Sequence, residues 1–357
     1  MAVGIATQPQ TTRTIAATSQ NWLMLGVSFW PLAGVFADAY AHTNTNIESF
    51  FNPWHALLYS GLLAYTLTLF YITWQNSHIG GISLRQAIPA GYELAFIGVA
   101  MLGVGGPGDL VWHTIFGFER DLAAIVSPTH LIIETGLVLI ISAPARALLI
   151  RNRTTPITGW QQLPMVMSLA FTYTIISLYI QIVNPFSFHW ASAGTKDLFK
   201  DNVPPVDQYL NNSLGLGGVI AFSLILSLVM LYVVRRIHLM PGAVTIILTL
   251  DVAALCAIQL NFGLLPAAII AGILIDILIQ AFRLPNPNIV LFRVFAFLLP
   301  FIVMALYFGL LFAEEGITWI IHFWLGSIFA AGIIGVGVSF LVAPSEELPV
   351  LTSDTPQ

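Results

Sequence analysis

Runs of twenty or so apolar residues, separated by polar, glycine or proline punctuation, recur along almost the whole chain and decide what it can become. A helix needs about 20 such residues to cross a bilayer. Ten segments qualify, near 21–41, 54–75, 87–112, 129–149, 163–184, 213–234, 241–259, 263–282, 290–312 and 317–342. A transmembrane β-barrel would alternate apolar and polar residues in short segments, and runs such as Leu131 to Ala143 do not alternate. The expected fold is all-α, a polytopic transmembrane helical bundle of about ten spans. Composition agrees. Charged residues make up 8% of the chain and apolar ones 57%, against about 25% charged in soluble domains. A water-soluble globular enzyme is excluded. A net charge of −5 with no basic run excludes a nucleic-acid surface, and one cysteine, Cys256, excludes an intramolecular disulfide framework or thiolate cluster.

Residues 1–20 read as a flexible cytoplasmic tail, and the first span is longer than the apolar core of a signal peptide. With the N-terminus inside, Arg13, Arg85, Arg146, Arg151, Arg153, Arg235, Arg236, Arg283 and Arg293 fall on the cytoplasmic side. Arg120, Lys196 and Lys200 fall on the other. The excess of inner cations predicts a multi-pass cell-membrane protein with both termini cytoplasmic. Residues 21–149 read as a four-helix half and 150–342 as a six-helix half with a long outer loop at 185–212. The acidic stretch 343–357 is expected to be a disordered tail.

One pattern rises above composition. Gly34, Asp38, His42, Glu48, Pro53, His55 and Gly61 are repeated as Gly105, Asp109, His113, Glu119, Pro128, His130 and Gly136. Both runs follow Gly-x3-Asp-x3-His-x5-Glu, a variable gap, then Pro-x-His-x5-Gly. The pattern predicts a duplicated two-helix unit in spans 1–2 and 3–4. Asp and His four apart share one helix face. Proline then sets the start of the next helix, with the second histidine in its first turn. Each unit should thus present one carboxylate and two imidazoles at the extracytoplasmic end of a helix pair. Such a donor set suits zinc, copper or non-haem iron and leaves coordination positions open. The expected metal ligands are Asp38, His42, His55, Asp109, His113 and His130. Glu48 and Glu119 are expected to orient the imidazoles or to add a ligand. The run Gly103 to Gly108 lacks the Lys-Ser/Thr of a phosphate loop and predicts a break or widened turn below Asp109.

These residues resemble the C subunit of the particulate methane and ammonia monooxygenase family. Asp38, His42 and His55 reproduce that family's Asp-x3-His-x12-His. Asp109, His113 and His130 are similar to its second motif, with Asp in place of Asn and a longer gap. Trp112-His113-Thr114, Phe118-Glu119 and Ser127-Pro128-Thr129-His130 extend the likeness, and Glu134 is similar to a glutamate near the same histidine there, which implies for it the same role as Glu48 and Glu119, orienting the ligands or adding one. The resemblance spans residues 34–136. It implies copper at both triads, oxidation of a small apolar or ammonia-like substrate by dioxygen, and membrane partner subunits. The family subunit has fewer spans, and 163–342 has no counterpart in it.

Two further readings follow from the residues alone. A zinc-dependent intramembrane lipid hydrolase would use a metal-bound hydroxide, with Ser127 or Ser60 as oxyanion helper. A metal or proton transporter would load at the triads and pass its cargo by Asp251 and Asp276, the acids within spans 7 and 8. Glu93 is expected to make a buried polar contact, His189 and His322 to be simple hydrogen-bonded histidines, and His78 and His238 to face water. No residue is assigned a catalytic role from sequence.

Overall fold

The computed structural model describes residues 14–45, 49–117, 126–193 and 208–343. Glu48 and Glu119 lie outside the described residues, as do Arg120, Lys196, Lys200, most of the outer loop and nearly all of both tails. The described residues form twelve α-helices. These are α1 (Thr18–Asn44), α2 (Pro53–Gly80), α3 (Leu84–Ala87), α4 (Glu93–Phe116), α5 (Pro128–Ile141), α6 (Ala143–Arg151), α7 (Leu163–Tyr179), α8 (Gln208–Val234), α9 (Ala243–Gln259), α10 (Leu265–Ala281), α11 (Ile289–Glu314) and α12 (Ile321–Val342). Eight helical segments of 21 to 28 residues are long and apolar enough to cross a membrane, while α9 and α10 are apolar helices of 17 residues each. The chain is an apolar helical bundle with the character of an integral membrane protein.

Each expected span corresponds to a helix. The expected span 129–149 is divided into α5 and α6 at Ser142. Ser142 donates to Val138 O, and Pro144 in the first turn of α6 supplies no N–H to the preceding turn. The expected break at Gly103–Gly108 is not present. α4 stays helical through all of it, with Pro107 inside, and the glycines serve close packing instead, as shown below.

The molecule divides into two compact units, Met1–Ile182 with Met240–Gly272, and Val183–Leu239 with Ile273–Gln357. This division differs from one at residue 150, because α7 and α9 pack on each other and on α1. Within the first unit, α1 pairs with α2 and α4 with α5, each pair joined by glycine notches. A Cβ on Gly34 would lie 2.5 Å from Leu58 Cα, and one on Gly61 would lie 2.6 Å from Pro31 N. In the second pair, a Cβ on Gly105 would lie 2.8 Å from Ile133 Cγ1, and one on Gly136 would lie 2.8 Å from Leu102 Cγ. Gly34 with Leu58 corresponds to Gly105 with Ile133, and Gly61 with Pro31 to Gly136 with Leu102, at constant offsets along each helix. Small residues let backbones approach where lipid supplies no hydrophobic drive between helices. Both pairs are therefore locked in the same register. In the second unit, α8, α11 and α12 pack together, and the segment 183–193 meets Gly316–Thr318 through backbone hydrogen bonds from Ala193 N to Gly316 O and Thr318 N to Ala191 O.

Candidate metal centre

The register of each pair puts the last turn of one helix beside the first turn of the next. Asp38 and His42 end α1, and Asp109 and His113 end α4. α2 and α5 each begin with proline, and a polar side chain caps each start. Asn52 Oδ1 accepts from His55 N at 2.8 Å, and Ser127 Oγ accepts from His130 N at 3.4 Å. A cap that engages the histidine's own amide fixes where its side chain leaves the helix.

All six expected ligands come together as two triads. In each, one donor atom per residue lies within 4.8 Å of the others. His55 Nε2 is 3.3 Å and His42 Nε2 3.7 Å from the Asp38 carboxylate. His130 Nε2 is 3.2 Å and His113 Nε2 3.4 Å from Asp109 Oδ1. These separations sit at or beyond the long end of an N–H···O bond, about 3.2 Å. They match the edge of a tetrahedron built on metal–ligand bonds of ~2.0–2.1 Å, roughly 3.3–3.4 Å.

The tautomers agree with that reading. His55 Nδ1 meets Phe50 O at 2.7 Å and His113 Nδ1 meets Gly117 O at 3.2 Å. A carbonyl can only accept, so Nδ1 carries the hydrogen and Nε2 of the neutral ring presents its lone pair. In the neutral ring that lone pair faces a carboxylate oxygen, acceptor against acceptor, an arrangement that a cation between them would satisfy. Asp38 Oδ1 and His42 Nε2 are buried and make no hydrogen bond. Buried polar atoms ordinarily find a partner, and these two are donor atoms of the kind an ion would take. The residues fit a metal.

The triads are neighbours with different surroundings. The Phe50 ring lies 4.6 Å from the His55 ring and 6.3 Å from the His113 ring, centroid to centroid. Tyr59, one turn after His55, packs its ring on the Gly106 backbone, where a Cβ would lie 2.9 Å from Tyr59 Cε1. From there its phenol lies close to both carboxylates. Thr129 Oγ1 donates to Asp109 Oδ1 at 2.8 Å. Sequence reasoning missed both Tyr59 and Thr129. Their signals were present: Tyr59 follows His55 on the same helix face, and Gly106 is the glycine of its run whose Cβ would meet α2.

Glu134, at the position of α5 that corresponds to Tyr59 of α2, lies near His130, and its Oε2 is buried without a hydrogen bond. Asp251 is fully buried in the middle of α9, and Asp276 is buried in α10. Glu93 accepts from Gly91 N at 2.8 Å, a half-buried contact. Ser127 is engaged as the α5 cap, and Ser60 donates to Leu57 O. In the second unit, His189 pairs with Glu315 at 2.8 Å, and Ser192 donates to the same carboxylate. His78 and His238 are exposed, His78 stacked on Trp74 and His238 bonded to Leu284 O. The chain matches no family model, no curated protein and no solved structure.

Proposed function

We propose that this chain is an integral membrane metalloprotein in which each His2Asp triad holds one transition-metal ion, copper first, for a monooxygenase-like oxidation. The observation that carries the reading is the convergence of six donors as two triangles with carbonyl-anchored imidazoles. Copper is preferred over zinc and non-haem iron because the ligand spacing is shared with the C subunit of the particulate monooxygenase family. A bound copper ion would supply one-electron redox chemistry and a binding position for dioxygen. The protein's residues do the rest. Asp38 and Asp109 offset the ion's charge, His55 and His113 aim Nε2 inward, and Thr129 holds Asp109 in place beside Tyr59. Phe50, between the two triads, limits water beside them, which suits a small apolar substrate.

The equivalent glycine notches support an ancestral duplication of the helix pair. At 1.5 Å per residue α9 and α10 fall at the short end of spanning length, and counting both gives ten spans. The Lys/Arg distribution then supports cytoplasmic termini and triads at the extracytoplasmic face, where partner subunits of the membrane would reach them.

Elemental analysis of purified protein tests the reading. The expected result is two copper ions per chain, with nitrogen ligands in the paramagnetic resonance spectrum. The double variant His42→Ala with His113→Ala should come off the column metal-free. Full copper content in that variant would overturn the ligand assignment.

A further inference from the structure

A second polar site lies in the first unit away from the triads. Asp251 occupies the ninth position of the 17-residue apolar helix α9 and is 0% exposed. Neither carboxylate oxygen makes a hydrogen bond. The groups that act on it are the Ser177 hydroxyl and the Tyr173 phenol from α7 and the Cys256 thiol on α9 itself. None of these is a cation. α1 also packs on α9, as does α10, where a Cβ on Gly272 would lie 2.5 Å from Thr245 Cα; the charged group that α10 carries is the acid Asp276, and neither helix brings a cation among the described residues.

An isolated carboxylate in such surroundings is so costly that the group takes up a proton instead. An alkali or divalent ion asks for six or more oxygens, and the neighbours here are two hydroxyls. Acids lodged in this way inside membrane helices are proton stations in many pumps and transporters. The helix end above Asp251 is tied to the first triad's helix, since Asn44 Nδ2 donates to Ile258 O at 3.0 Å. Asn44 follows His42 by two residues, and Ile258 is seven residues beyond Asp251, roughly 10 Å along the helix.

We propose that Asp251 is a proton-binding site inside the helical bundle, its carboxyl held as neutral COOH between α7 and α9 with Ser177 and Tyr173 as hydroxyl neighbours. The carboxylate and one proton from water combine to give the acid, and no other reactant is involved. The site is independent of whether the triads hold metal.

Infrared spectroscopy of the full-length protein in detergent, with aspartate labelled by carbon-13 at the side-chain carboxyl, tests this. At neutral pH a protonated-carboxyl C=O band should shift on labelling, persist in Asp276→Asn and vanish in Asp251→Asn. In Asp251→Glu a C=O band should return that no longer responds to aspartate label, which serves equally if the asparagine variant does not fold. Absence of an aspartate COOH band in the wild type would overturn the proposal, as would its survival in Asp251→Asn. Its removal by sodium at fixed pH would make this a cation site and would also overturn it.

Discussion

The two helix pairs of the first unit share their notches, proline starts and triads, yet their carboxylates live in different company. Asp109 and His113 each have 2% of their side chains exposed, and Asp109 accepts from Thr129 and faces Tyr59. Asp38 and His42 are 13% and 17% exposed, and Trp54 stands where the second pair has Thr129. The shared framework thus fixes where donors go, while single residues one turn away decide how much each donor is already bonded. The second carboxylate is oriented by protein groups. The first keeps an Oδ1 with no hydrogen-bond partner.

The sharpest way to break this comparison is to remove one histidine at a time. His42→Ala and His113→Ala should each lower the metal content from two ions to one, and loss of both ions from either single variant would show that the triads bind as one unit. A smaller effect separates the notches. Gly34→Ala drives a Cβ into Leu58 backbone and should cost about 1–3 kcal/mol of stability. Gly105→Ala meets the movable Ile133 and Ile132 side chains most closely and should cost less, as read by thermal unfolding in detergent. The smallest effect concerns the hydrogen bond itself. Thr129→Val should weaken metal retention at the second triad roughly tenfold and leave the first unchanged, measured by competition with a chelator.

Much of the fold was legible because the bilayer demands long apolar helices, and punctuation by Pro, Gly and Asn marked their ends. The six triad residues were legible for a different reason. Spacing of four along a helix and a Pro-x-His start are local geometry, so the sequence pattern alone brings the donors together. Tyr59 and Thr129 escaped because their role depends on contact: Tyr59 is defined by Gly106 on another helix, and Thr129 by Asp109 twenty residues earlier. The glycine run of α4 misled for the same reason. Read alone it suggests a broken helix, but packed against α2 it is the floor on which a tyrosine ring lies. The break at Ser142 was hidden too, since an apolar run through a proline near a helix start reads as one span.

The carbonyl-held imidazoles have a consequence for kinetics. The His55 and His113 rings, held by the Phe50 and Gly117 backbone oxygens, have their Nε2 atoms already aimed, so on the proposed metal reading these two ligands would need little rearrangement. The pace of loading would then be set by how quickly an incoming ion sheds its water, and the empty protein should keep the shape of the loaded one.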